Sequence, residues 1–180
     1  MSRKKLIRDL KEYQVKYPQE ISLVNRVIAF IKNTPECFSR SHAEGHITGS
    51  AWLVNNHQQV LLTYHKKLHK WIQLGGHADG NPSVLNVALK EAEEESGILD
   101  LKLISDAVFD VDIHLIPANS RESSHYHYDI RYLISAGDMK QFKISNESIS
   151  MAWIDFKDIK SYSKESSLLK MKEKYHQYQN

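Results

Sequence analysis

The feature that most constrains this fold is one sharply bounded helix predicted between two runs of strands. Residues 82–96 carry apolar side chains at helical spacing, and these form a stripe that can face a core. Asn81 is a favourable N-cap, Pro82 suits the first helical position, and Gly97 suits the position just after the helix. A single amphipathic helix among strands must pack its apolar stripe on a sheet, which favours a layered fold.

Strand patterns lie on both sides of this helix. Apolar runs bounded by turn residues predict strands at 50–54, 59–64, 71–74, 101–115, 125–135 and 150–154, and a closing helix at 164–177. This order of elements predicts an α/β sandwich.

The N-terminal part of the chain has a different pattern. Residues 1–36 show apolar side chains at helical spacing on either side of Pro18, and Thr34-Pro35 ends the second run. An αα-hairpin of this length is too small to form a domain alone. We therefore predict a helical extension at 1–42 that packs on a main domain at 43–180.

Composition narrows the functional classes. The 180 residues include 24 Lys and Arg against 22 Asp and Glu, so the formal net charge is +2, whereas nucleic-acid binders usually carry a more clustered basic excess. No apolar run approaches the roughly 20 residues that span a membrane, and no secretory signal is visible. Cys37 is the single cysteine, which excludes an internal disulfide. We expect a cytoplasmic protein with neither a membrane nor a nucleic acid as its partner.

The predicted central helix ends in a run of acidic residues. Glu91, Glu94 and Glu95 follow i, i+3, i+4 spacing, so their carboxylates share one face near the helix C-terminus. Their mutual repulsion and the helix dipole both disfavour this arrangement, and a hard divalent cation such as Mg²⁺ or Mn²⁺ would reverse both effects. The alternative is a solvated acidic face that Lys90 partly neutralises.

The context of this helix resembles the signature of the Nudix hydrolase family. Gly76 matches the first glycine of that signature, and Lys90-Glu91-Ala92-Glu93-Glu94-Glu95-Ser96-Gly97-Ile98 matches its second half. The resemblance covers residues 76–98 with two departures, because Pro82 stands where the family has a Glu and Lys90 replaces an Arg. Asp79 lies nearby and is a candidate for the missing acidic function. The resemblance implies an α+β fold, namely a Nudix-type α/β/α sandwich with a mixed sheet, here with an N-terminal helical extension and a C-terminal helix.

Two strands after the helix carry alternating polar residues. His125, His127, Asp129 and Arg131 share one strand face, and Asp110, Asp112 and His114 share the face of a neighbouring strand. We expect these strands to pair, which would place the two polar rows side by side. Histidines two apart on a strand can ligate a metal or contact phosphate. The alternative is a polar face bonded to itself, with Arg131 tied to Asp110 or Asp129. This stretch also resembles a bacterial subgroup of the Nudix family.

The resemblance implies a metal-dependent hydrolase that cleaves a pyrophosphate bond in a nucleoside diphosphate linked to another group. In that reading Glu91, Glu94 and Glu95 hold Mg²⁺ or Mn²⁺. Glu91 or Glu94 acts as general base, and Lys90 orients the carboxylates. The candidate substrate contacts are Gly75, Gly76, His77, His125, His127 and Arg131. Glu147 falls where Nudix proteins often carry a further acidic residue.

Two other functions are compatible with the sequence. The first is a Nudix-like module that binds a nucleotide with little or no turnover, as the departures at Pro82 and Lys90 suggest. The second is an isomerase of isoprenoid diphosphates, which would need a catalytic Cys, whereas Cys37 is predicted outside the core. In each case the partner is a small molecule, and the sequence leaves both a monomer and a homodimer open.

Overall fold

The structure is a computed structural model that describes residues 2–118 and 123–179. Its helices are α1 (Arg3–Lys16), α2 (Ile21–Asn33), α3 (Val84–Ser96), α4 (Ile159–Tyr162) and α5 (Ser166–Gln179). Its strands are β1 (Gly45–Val54), β2 (Gln59–His65), β3 (Lys70–Ile72), β4 (Leu74–His77), β5 (Lys102–Leu103), β6 (Asp110–Ile116), β7 (His125–Ser135) and β8 (Ser148–Asp155). None of the helices in these ranges is long and apolar enough to cross a membrane.

The strands form one mixed sheet with β1 near its centre. β1 pairs with β7 in parallel from Gly45↔Tyr126 to Val54↔Ser135, and it pairs antiparallel with β2 and β4. β8 joins β2, while β6 pairs antiparallel with β7. This arrangement confirms the predicted α+β fold with a mixed sheet.

The local predictions differ from the structure at three places, and the first is the predicted strand 71–74, which is divided between β3 and β4. Helix α3 begins at Val84 rather than at Pro82, because the Asn81 side chain accepts a hydrogen bond from the Ser83 N–H (2.9 Å) and holds a turn there. The predicted strand 101–115 is two short strands, β5 and β6. A turn separates them, in which the Ala107 N–H donates to the Ser105 hydroxyl at 3.1 Å.

The N-terminal helices pack on the sheet. Side chains buried on α1 and α2, including Leu6, Leu10 and Val27, belong to the same hydrophobic cluster as Ile47 and Ile130 of the sheet. The division of the chain at residue 42 stays a prediction, since this cluster is continuous across it.

Alternation along the strands separates two hydrophobic clusters. On β1, Ala51 and Leu53 join the cluster that includes α3, whereas Trp52 and Val54 join the cluster that includes α5. Because successive strand residues point to opposite faces, the clusters lie on the two faces of the sheet. α3 packs closely on the first face, where a Cβ added at Gly49 would lie 2.8 Å from the Val84 carbonyl oxygen.

The face of the sheet that carries Trp52 and Val54 changes from apolar to ionic along β7. Arg131, 1% exposed, donates from Nη1 to Asp110 (2.9 Å), from Nη2 to Asp112 (3.1 Å) and from Nε to Asp129 (2.7 Å). The hydroxyls of Thr48 and Ser50 donate to the other oxygen of Asp129, each at 2.8 Å. Each of the three nitrogens of the buried guanidinium therefore donates to a carboxylate.

Asp110 extends this network to the helices. Lys174 of α5 lies 2.5 Å from the Asp110 carboxylate and 2.6 Å from that of Glu20, and it also donates to the Tyr13 hydroxyl. Lys170 lies 3.0 Å from the same Asp110 oxygen. One buried ionic network thus joins the N-terminal helices, the sheet and α5.

We expect Arg131→Met to destabilise the protein by about 3–5 kcal/mol, because three carboxylates would lose their buried cation. Chemical denaturation measures the change in the free energy of unfolding. Lys70→Met is the matched control, since it removes an exposed ion pair with Glu165 (2.9 Å) and should cost at most about 1 kcal/mol. Equal losses in the two variants would contradict the structural role of Arg131.

The network also predicts an acid dependence of stability through Asp112. Burial raises the pKa of Asp112, but the hydrogen bond with His114 and the charges of Arg131 and Lys170 outweigh it and lower the pKa to about 2. A lowered folded-state pKa stabilises the protein above the ordinary value near 4, and this contribution is lost as the pH falls towards 2.

The free energy of unfolding of Asp112→Asn should therefore be lower than that of the parent by about 2 kcal/mol at pH 6 and by about half of that at pH 3. Urea unfolding at several pH values measures it. Asp158→Asn, at an exposed position, is the control and should track the parent. A deficit that grows on acidification would contradict the prediction.

Candidate functional site

Two of the predicted acidic ligands converge on the glycine pair that precedes α3. The Glu95 carboxylate, 8% exposed, accepts the Gly75 N–H at 2.8 Å. The Glu91 carboxylate lies over Gly76, where any added Cβ would collide with it. Glycine at this position therefore lets a carboxylate approach the backbone of β4 closely.

The pKa values of these carboxylates reflect their burial first and their crowding second. Burial raises the pKa of Glu95 to about 8, against the opposing Gly75 hydrogen bond, and the charges of Glu91 and Glu147 raise it further. Burial also raises the pKa of Glu91, which Lys90 partly offsets and which Glu94 and Glu147 increase. The structure thus brings Glu147 into the electrostatic surroundings of this group. A divalent cation that takes oxygen ligands would stabilise the ionised form of these carboxylates.

The third predicted ligand, Glu94, is more exposed. Its carboxylate lies 2.7 Å from Lys90 Nζ, and the same ammonium lies 3.7 Å from Glu91. Lys90 therefore lies within 4 Å of two of the three carboxylates, and its orienting role stays a prediction. Asp79, considered for the missing acidic function, is instead paired with Arg40, and that pairing lowers the pKa of Asp79.

Histidines from four neighbouring strands meet on the polar face of the sheet. His46 of β1 is directly opposite His127 of β7, which is opposite His114 of β6. The ring centroid of His46 lies 4.8 Å from that of His127 and 5.0 Å from that of His125. The ring centroid of His77, on β4, lies 4.9 Å from that of His46. The predicted pairing of the two polar strands accounts for His114 beside His127, whereas His46 and His77 join the cluster through the pairing of β1 with β7 and with β4.

The surroundings of His46 and His127 favour the neutral form of these two rings. Burial lowers the pKa of His46 to about 4, with further lowering by His77 and His125. Burial and the neighbouring His114, His77 and His46 lower the pKa of His127 to about 2. Neutral imidazole is the form that binds metal ions.

Two predictions need correction. Arg131 was predicted to contact substrate, but its side chain is buried and its three bonding edges are taken by carboxylates, so its position is structural. Cys37 was predicted outside the core, but it is fully buried in the hydrophobic cluster that contains α3, and burial raises the pKa of its thiol.

Sequence reasoning missed His46 as a member of the histidine cluster. The available signal was the alternation of His46, Thr48 and Ser50 along β1, which matches the polar row of β7. The parallel pairing of β1 with β7 could not be predicted from either strand alone. About 70 residues lie between the two strands, and neither strand's sequence specifies the register.

The chain is similar to several solved structures. An Ap4A hydrolase from C. elegans aligns with a TM-score of 0.60 at 15% identity, covering 73% of this chain and 96% of that one. A NUDIX-family hydrolase from Clostridium perfringens aligns with a TM-score of 0.52 at 25% identity, covering 72% and 95%. The NUDIX domain of Shewanella oneidensis NrtR, solved with ADP-ribose, aligns with a TM-score of 0.53 at 16% identity, covering 84% and 97%.

No curated protein matches the sequence. The family model of the NUDIX domain matches residues 46–175, which include every strand of the sheet after the first residue of β1 and both the glutamate and histidine groups. The sequence resemblance over 76–98 is thereby extended to most of the chain, and the protein belongs to the NUDIX domain family.

Proposed function

We propose that this protein is a metal-dependent hydrolase that cleaves a pyrophosphate bond in a nucleoside diphosphate linked to another group. The observation that carries this proposal is the convergence of Glu91 and Glu95 on Gly75 and Gly76, at the position of the Nudix signature. Ap4A and ADP-ribose, named with two of the similar structures, both contain such a bond.

The carboxylates of Glu91, Glu94 and Glu95 would hold Mg²⁺ or Mn²⁺, because both ions prefer oxygen ligands. When bound, the cation supplies electrostatic stabilisation to the charge that develops on the phosphate oxygens.

The protein's own residues divide the remaining work. Glu91, whose carboxylate lies over Gly76 and whose pKa is raised by burial, is the residue we assign to accept a proton from the attacking water. Glu95 keeps the glycine pair in place through the Gly75 N–H, so that backbone rather than side chain faces the substrate. Lys90 restrains Glu94 through their 2.7 Å contact. The side chain of His77, which follows Gly76, lies on the opposite face of the sheet from Glu91, so a contact between His77 and substrate phosphate stays a prediction.

A nucleotide-binding module without turnover is the second candidate. It is favoured by Pro82, which stands just before α3 at the position where the family signature has a Glu. Incubation of nucleotide sugars, dinucleoside polyphosphates, ADP-ribose, NADH and nucleoside triphosphates with Mg²⁺ or Mn²⁺, followed by chromatography of the two phosphorylated products, separates the candidates. Binding of one of these compounds without its hydrolysis would favour the module.

Glu91→Gln and Glu95→Gln should each lower kcat by about 100-fold or more, because each removes a charge from the cation-binding face. Steady-state kinetics on the best substrate of that panel measures the loss. Glu93→Gln is the control on the same helix, since Glu93 does not belong to the carboxylate trio, and it should keep parental kcat. Parental kcat in both Glu91→Gln and Glu95→Gln would overturn the proposed function.

Lys90 provides an independent test of the departure from the family signature. Lys90→Ala should lower kcat/KM by about 3- to 10-fold, because Glu91 and Glu94 would lose a neighbouring cation worth about 1 kcal/mol. Lys90→Arg should keep or raise kcat/KM, since guanidinium can bond a carboxylate through two N–H groups. If both variants match the parent, Lys90 has no part in catalysis.

A further inference from the structure

The second cluster of potential ligands is made of imidazoles rather than carboxylates. His46 of β1 and His125 and His127 of β7 each offer a ring nitrogen, and these three atoms lie within 4.8 Å of one another. They lie outside the glutamate group and come from two paired strands whose register places His46 beside His127. Strands hold side chains more rigidly than loops do, which favours a built site.

The ring nitrogens of His46 make no well-formed hydrogen bond. Its side chain is 2% exposed, and within residues 2–118 and 123–179 neither ring nitrogen has a hydrogen bond of normal geometry, although the backbone of His42 lies near enough to contribute to its pKa. Buried polar groups in native proteins are almost always satisfied, and an exception calls for an explanation such as an ion. A cation bound between the rings would satisfy His46.

His125 is oriented as metal-bound histidines usually are. Its Nδ1 lies 2.8 Å from the Ser123 carbonyl oxygen, so Nδ1 carries the hydrogen and Nε2 keeps its lone pair. That Nε2 lies 3.3 Å from Nε2 of His127. Two nitrogens that are each about 2.1 Å from a tetrahedral Zn²⁺ lie about 3.4 Å apart. A hydrogen bond between the two rings also fits 3.3 Å, and metal titration distinguishes the two arrangements.

We propose that His46, His125 and His127 form a site for a borderline transition-metal ion of the Zn²⁺ class, separate from the carboxylate site for Mg²⁺ or Mn²⁺. Imidazole selects ions of this class, whereas carboxylate oxygens suit Mg²⁺ and Mn²⁺. Three protein ligands leave a fourth tetrahedral position for water or substrate. This site does not depend on the proposed hydrolysis.

The surroundings of the three rings include a pocket and a further histidine. The pocket, of about 150 Å³, is lined by Arg40, His42, Ala43, Ser123 and His125, so one of the three rings faces it. His77 lies beside the group, with its ring centroid 5.1 Å from that of His127. Because His77 directly follows Gly76, over which Glu91 lies, β4 connects the two sites while its alternating side chains keep them on opposite faces.

The test begins with chelator-treated protein in a buffer containing Mg²⁺ in millimolar excess, which occupies the carboxylates. Titration with Zn²⁺, followed by calorimetry, should show one ion bound per chain. Co²⁺ should produce the visible absorption of a tetrahedral nitrogen-ligated ion. His46→Gln and His125→Gln should each weaken Zn²⁺ binding by about 100-fold and abolish the Co²⁺ spectrum. His57→Gln, at an exposed turn histidine, is the matched control and should bind Zn²⁺ as the parent does.

Thermal unfolding is a second measurement of Zn²⁺ binding, and it also applies to a variant that folds poorly. Zn²⁺ should raise the Tm of the parent and of His57→Gln but not that of His125→Gln. Glu94→Gln should retain full Zn²⁺ affinity even where hydrolysis is lost, so failure of this site and failure of the proposed function give different results. The proposal is overturned if the parent binds no Zn²⁺, or if His46→Gln and His125→Gln bind it with parental affinity.

Discussion

The interaction on which this structure depends is the buried contact of Arg131 with Asp110, Asp112 and Asp129. Burying a guanidinium is costly, and only partners on every bonding edge make it tolerable. The contact sets the antiparallel register of β6 and β7, since Asp110 is opposite Arg131 and Asp112 is opposite Asp129. Through Asp110 it also binds Lys174 of α5, so helices at both ends of the chain depend on the same carboxylate.

The register that this network sets also assembles the histidines. Once Asp112 is opposite Asp129, His114 is opposite His127, because paired strands advance together. This face of the sheet is therefore apolar at one end, carries the ionic network at its centre and is lined by imidazoles at the other end. On the other face, α3 presents its carboxylates to Gly76. A thin layer of strands separates two groups of potential ligands with different metal preferences.

Signals confined to one element were readable from the sequence. The i, i+3, i+4 spacing of Glu91, Glu94 and Glu95 is a property of a single helix, and the alternation from His125 to Arg131 is a property of a single strand. Both predicted which side chains share a face. Neither could predict burial, which is why Arg131 was assigned to substrate while the structure surrounds it with carboxylates.

The sequence by itself determined the central helix with its closing Gly97 and the polar rows of β6 and β7, and its resemblance to the Nudix signature implied the family and the mixed α+β fold. The helix and the polar rows follow from local spacing, whose physical basis is the fixed period of helix and strand. The tertiary structure alone decided that Glu95 is buried against Gly75, that Arg131 is structural, and that His46 joins His125 and His127. Each of these depends on pairing between residues distant in the chain, and such pairing is decided by the packing and electrostatics of the whole sheet.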